Sequence, residues 1–135
     1  MSIELINPTG LVEPQAYTHV AVARGSRTVY VAGQVSQDVA GNVVGPGDLA
    51  AQTAQAFRNA GTALAAAGAT FADVARTTIY LADWSPEKMG QLMEGFGRVT
   101  GELGIQRVGP TTLLAVAGLA DPALLIEVEV TAVVE

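Results

Sequence analysis

The 135 residues contain no cysteine, which excludes disulfides and thiolate metal sites and fits a reducing compartment. Charge is scarce: 15% of the residues are charged, against 50% apolar. A small domain so thinly charged tends to bury part of its surface against another chain. Basic residues are few and scattered. Seven Lys and Arg face thirteen Asp and Glu, for a formal net charge of −6. An acidic surface with no basic cluster repels phosphate backbones, so no nucleic-acid partner is expected. The one histidine, His19, excludes a multi-histidine metal site within one chain, and neither metal nor cofactor is expected. No apolar run approaches the ~20 residues of a membrane-spanning helix. Residues 1–11 lack the basic start and long apolar core of a signal peptide. These absences lead to the expectation of a cytoplasmic protein without a membrane partner. Ser-His-Asp, Cys-His and phosphate-loop patterns are missing too.

What remains reads as a single domain over residues 1–135. Residues 3–6, 20–23 and 28–32 are β-prone, and Arg24-Gly25-Ser26-Arg27 reads as a hairpin turn between the last two runs. Residues 38–47 are rich in glycine and form a loop. Asp48 is placed to cap a helix over residues 49–67, stopped by Gly68. Leu49, Thr53, Phe57, Ala60 and Leu64 lie three and four apart, a stripe that faces a core. Thr70 and Asp73 predict a short capped turn. Residues 74–81 then alternate, with Thr77, Ile79 and Leu81 on one side and Arg76, Thr78 and Tyr80 on the other. Ser85-Pro86-Glu87 opens a second helix, expected to run to about residue 103. Strands over residues 112–117 and 124–134 close the chain.

The order of elements predicts an α+β domain: a mixed β-sheet with two helices on one face. No third helix is left to cover the other face, so a homo-oligomer is the simple solution. Glu127 and Glu129 sharpen this point. They stand two apart in an otherwise apolar strand, so both point to the same face. Such a pair is costly unless solvent, a partner charge or a function accounts for it.

The order and spacing of several short pieces resemble the Rid, or YjgF, family of reactive intermediate deaminases, also called the L-PSP endoribonuclease family. The pieces are Tyr17-Thr18-His19-Val20-Ala21-Val22, Val29-Tyr30-Val31-Ala32-Gly33-Gln34, Asp48 with Gln52 and Asn59, residues 64–68, Asp73-Val74 with Thr77, Pro110 with Leu119, and Ile126-Glu127-Val128-Glu129. Together they cover about residues 15–134. The resemblance implies a YjgF-like (chorismate-mutase-like) fold, a homotrimer whose open sheet faces form a central barrel, and small-molecule pockets at the subunit interfaces. It implies hydrolysis of reactive enamines and imines to 2-keto acids and ammonia. In active members an Arg follows the Pro-x of the late strand and grips the substrate carboxylate, and a Glu fifteen residues later positions water or moves protons. Here those positions are Thr112 and Glu127. The family's serine before Gly-Gln is Ala32, beside Gly33, and its asparagine of the second helix region falls near Gly90 or Gln91.

On this basis Glu127 is the catalytic candidate, against the alternative of a strand acid that merely reaches solvent. Tyr17, Ala32, Gly33 and Thr112 are the substrate-binding candidates. For Tyr17 the alternative is simple packing at a sheet end. Arg107, on the loop before Thr112, is a candidate to swing in and replace the missing guanidinium; the alternative is a solvated loop cation. His19 and Glu129 read as structural. The leading expectation is a Rid-like deaminase with an altered substrate, one lacking an α-carboxylate. The alternative is a non-catalytic small-ligand-binding trimer of the same fold, and ribonuclease activity is disfavoured by the acidic charge.

Overall fold

The computed structural model of the protein describes residues 2–135, with side chains from residue 3 onward. Strand β1 (Ser2–Ile6) pairs antiparallel with β2 (Val20–Arg24) as a separate two-stranded ribbon. The main sheet has the order β3-β6-β4-β5, built from β3 (Arg27–Val35), β4 (Val74–Ala82), β5 (Thr111–Val116) and β6 (Ile126–Val134). Only β4 and β5 run parallel; β6 is antiparallel to both of its neighbours. The sheet is therefore mixed, as the alternation of strands and helices predicts.

Helix α1 (Leu49–Ala66) lies on β3 and β6. The Asp48 carboxylate accepts from the Ala51 amide at 3.0 Å, and the chain leaves the helix through Gly68 at φ 76°. All five residues of the predicted stripe are buried. They meet Val128, Val130 and Ala132 from the covered face of β6. A 3-10 turn (Phe71–Asp73) carries the capping box expected of Thr70 and Asp73: the Thr70 amide donates to Asp73 at 2.9 Å, and the Ala72 amide to the Thr70 hydroxyl at 3.2 Å.

Two expectations are corrected. Residues 25–26 do connect β2 to β3, but the strands do not form a hairpin. Gly25 packs so tightly on the Val134 carbonyl that the chain leaves the plane of β3 there. β2 pairs with β1 instead, and the ribbon lies near β4 and the 3-10 turn, with Ile3 and Leu5 turned inward. The apolar alternation of β1 thereby finds partners, and β3 keeps a strand neighbour on one side only. The second helix is also shorter than expected. A 3-10 turn (Pro86–Lys88) leads into α2 (Met89–Gly97), and residues 98–104 continue as turns up to Gly104 at φ 67°. Gly97 and Gly101 weaken helix propensity where the pattern would have carried it on. Gly95 remains inside α2 because it crosses the Ala50 backbone, where a Cβ would collide.

Polar side chains of α1 fix its height above the sheet. Gln52 is fully buried, yet its amide donates to the carbonyls of Gly45 (3.1 Å) and Ala123 (2.9 Å) and accepts from the Leu125 amide (2.8 Å). Asn59 donates to the carbonyls of Val35 (2.8 Å) and Gln37 (3.0 Å). Among the described residues no buried side-chain polar atom lacks a partner. Replacing Gln52 by Leu strands the Ala123 carbonyl and the Leu125 amide, while the Gly45 carbonyl keeps the Asp48 amide, at about 1–3 kcal/mol for each group left dry. Gln52→Leu should lower unfolding stability by about 2 kcal/mol or more in urea titrations, whereas Gln55→Leu, on the half-buried flank, should cost less than about 1 kcal/mol.

Candidate functional site on the uncovered sheet face

Alternation decides which side chains share the face without helices. On β6 these are Glu127, Glu129, Thr131 and Val133, since Val128 and Val130 are buried under α1. The register places Tyr80 opposite Glu127, and Thr78 between Glu129 and Thr112. Arg76 follows on the same side of β4. Among the described residues no helix packs on this face, and Tyr30 there is 80% exposed.

Glu127 is held by an irregularity of β3. The β3–β6 register shifts between Val31 and Gln34 and leaves Ala32 and Gly33 in a bulge. Gly33 lies under the Glu127 side chain, and a methyl group at that position would overlap the carboxylate. The Gly-Gln pair thus makes room for an acid on the facing strand. The carboxylate is partly buried and makes no hydrogen bond or ion pair among the described residues.

Glu129 accepts from the Tyr80 hydroxyl at 3.1 Å. That hydrogen bond holds the phenol above its ordinary pKa, and the charges of Glu129 and Glu127 act in the same direction. Arg76 donates from a terminal guanidinium nitrogen to the Thr112 hydroxyl at 2.9 Å. A cation therefore does stand beside Thr112, but it comes from the neighbouring strand.

The remaining candidates lie elsewhere. Tyr17 and Arg107 line the mouth of a cavity of about 870 Å³ on the helix side of the sheet, walled by Leu5, Phe71, Ile79 and Phe96. Arg107 has no contact with the Thr112 hydroxyl, which faces the other way. Thr111 and Thr112 border this cavity at the β5 edge. His19 stacks edge-on against Tyr17 at 5.3 Å, and its Nε2 bonds the Val12 carbonyl at 2.8 Å. Its role is to anchor the N-terminal loop. The structure thus brings Glu127 together with Ala32 and Gly33, and Tyr17 with Arg107, and it separates the two groups by the sheet. Arg76 and Tyr80 were assigned no role from sequence. The alternation of residues 74–81 had placed them on one face, but only the β4–β5 and β4–β6 registers reveal what they meet. Among the described residues no cluster of His, Asp and Glu could hold a metal, and no helix is long and apolar enough to cross a membrane.

Two measurements test this geometry. Gly33→Ala should destabilise the protein by about 1–3 kcal/mol through overpacking, and by far less in a Glu127→Ala background, because the clash is with that side chain. Denaturant titration of the two single variants and the double variant reads the coupling. Tyr80 has a folded pKa raised above its unfolded value, so its bond to Glu129 stabilises the fold below about pH 10 and is lost as pH rises through the raised value. In ultraviolet difference titration one of the three tyrosines should ionise later than the others, and Glu129→Gln should remove the delay.

Comparison with known proteins places these features in a family context. Residues 11–134 match the family model of endoribonuclease L-PSP. A curated rat protein, 2-iminobutanoate/2-iminopropanoate deaminase, is 44% identical over 57 residues, 42% of each chain, so the match spans under half of that relative's length. The 3-aminoacrylate deaminase RutC of Acinetobacter baylyi is 35% identical over 85 residues, covering 63% of this chain and 67% of RutC. Among solved structures, the Rid-family protein of unknown function YyfB from Yersinia pestis superposes with a TM-score of 0.88 at 33% identity, over 99% of this chain and 100% of that one.

Proposed function

Because the chain belongs to the Rid, or YjgF, family, that of endoribonuclease L-PSP, we propose that it is a hydrolytic deaminase of small imines or enamines. The observation that carries this reading is the Glu127 carboxylate, seated over Gly33 and without a hydrogen bond or ion pair among the described residues. The names of the rat and Acinetobacter relatives support the reaction class. In the proposed reaction Glu127 takes a proton from water as the water oxygen bonds to the imine carbon. The C=N electron pair moves to nitrogen, which takes up a proton. The resulting carbinolamine gives its hydroxyl proton to Glu127, which returns it to the nitrogen as the C–N bond breaks, so that ammonia leaves and a carbonyl remains. Hydrolysis of an imine in this way needs only a positioned base and water, with no redox partner.

The same geometry supports a homotrimer with pockets between subunits. Within one chain Glu127 and Thr112 are separated by β4, two ladder steps or about 10 Å. A small imine does not reach both. Turning the uncovered faces of several copies toward one another would bring Glu127 of one copy to the Thr112 region of the next. It would also cover the apolar Leu114 and Val133.

Thr112, where the resemblance implies an arginine, favours a second reading: a trimer that binds small ligands without turning them over. Ammonia release from imines generated in situ separates the two. Glu127→Gln should lower the rate by about 10²-fold or more without changing the assembly's size, since a general base contributes about that much. Ammonia at background for wild type with both carboxylated and uncarboxylated imines, alongside thermal stabilisation by small acids, would establish the binding reading instead.

A further inference from the structure

Tyr80 stands closer to the candidate base than the other polar groups of β4 and β5. Glu127 has two register partners, Val35 on β3 and Tyr80 on β4. Opposite residues of an antiparallel pair lie about 5 Å apart between Cα atoms, so the phenol is the polar neighbour of Glu127, whereas Thr112 is a further strand away. Yet the two side chains do not bond. Tyr80 leans along the sheet and donates to Glu129, two residues on, at 3.1 Å.

That bond decides what the hydroxyl can still do. A phenol has one proton and two lone pairs. The proton goes to Glu129, and among the described residues no donor reaches the oxygen. The charged groups around it are Glu129 and Glu127 on β6 and Arg76 on its own strand; its partner on β5 is Leu114, which does not titrate. The bond to Glu129 and the two acids hold the proton on the phenol throughout the neutral range. The oxygen is therefore a fixed acceptor, and the carboxylate behind it raises its electron density.

A donor for this oxygen has to be brought by a ligand. In the hydrolysis of an imine the nitrogen fits: the imine, the carbinolamine and the departing ammonia each carry an N–H, and a carbonyl carries none. The nitrogen is also one bond from the carbon that water attacks. An imine lying between Glu127 and Tyr80 has its carbon beside the base and its nitrogen beside the phenol. The contact strengthens as the nitrogen takes up its proton and gains positive charge, so it favours departure over binding.

We propose that Tyr80 is a further catalytic residue, its hydroxyl oxygen accepting an N–H of the substrate nitrogen, with Glu129 as the positioning residue that holds the phenolic proton. This rests on the deaminase reading, but acceptance of an N–H is measurable without turnover. Tyr80 itself transfers no proton.

Calorimetric titration with sec-butylamine, protonated at neutral pH, tests the contact, with butanone as the control that offers no N–H. Wild type should bind the amine more tightly than butanone. In a Glu129→Gln background, where no freed carboxylate can take over the amine, Tyr80→Phe should weaken amine binding roughly tenfold to a hundredfold and leave butanone unchanged. Tyr80→Phe keeps the ring, and unchanged melting serves as the folding control. In ammonia release from imines generated in situ, Tyr80→Phe should lower kcat more than it changes KM, and should bring the fall of kcat at high pH to lower pH. A merely structural tyrosine would not move that limb. Equal amine affinity with and without the hydroxyl, or no preference of wild type for the amine, overturns the proposal. If ammonia release proceeds with kcat and its alkaline limb unchanged in Tyr80→Phe, Tyr80 has no catalytic part and the deaminase reading stands. Tyr80-dependent amine binding without ammonia release by wild type keeps the N–H contact and removes the deaminase reading.

Discussion

The buried amide of Gln52 is the constraint on which the rest of the molecule turns. One side chain from the first turn of α1 satisfies three backbone groups on two loops, one leaving Gly45 and one entering β6 at Ala123 and Leu125. In a water-free interior each of those groups would be costly if left unpaired, so the position of α1 along β6 is effectively discrete. That position sets which residues of β6 lie under the helix. With Val128 and Val130 covered, Glu127 and Glu129 must face outward. A slip of one residue would bury both acids. The chemistry of the far face thus depends on an amide that never touches it.

That face uses its few charges sparingly. Among the described residues it carries two acids and one cation, and none of them forms an ion pair across the sheet. Tyr80 restrains one acid, Thr112 restrains the cation, and a glycine provides the seat of the other acid. Surface ion pairs contribute little to stability, so leaving Arg76 and Glu127 unpaired costs the fold little. Both groups therefore remain available to something that is not part of the chain.

Much of the covered half of the protein was legible in the sequence. Asp48, the Leu49-to-Leu64 stripe, Gly68 and the Thr70–Asp73 box each act through contacts a few residues away, which spacing reports directly. The β2–β3 connection misled because a short Gly-Ser turn between two β-prone runs is a local hairpin signal, and the competing contact is with Val134, more than a hundred residues away. α2 was overextended because an apolar periodicity does not record how many glycines a helix can carry. At the site, Glu127 and Gly33 stood out individually, but their close approach depends on the bulge in β3. Arg76 was visible only as a member of a face; its bond to Thr112 depends on the parallel register of β4 and β5, which no local pattern encodes.

The ribbon of β1 and β2 has a consequence at the opposite margin of the sheet. Because β2 turns away, the outer edge of β3 has no strand partner among the described residues, although side chains take the carbonyls of Ala32 and Val35. Edge strands are commonly guarded by lysine, proline or an inward-pointing charge. Arg27-Thr28-Val29-Tyr30-Val31-Ala32-Gly33-Gln34-Val35 has none of these beyond its first residue, and its bulge is its main defence. Strand-to-strand association along β3 is opposed by that bulge and by the net charge of −6, so the edge is guarded by shape and by overall repulsion in place of a local charge.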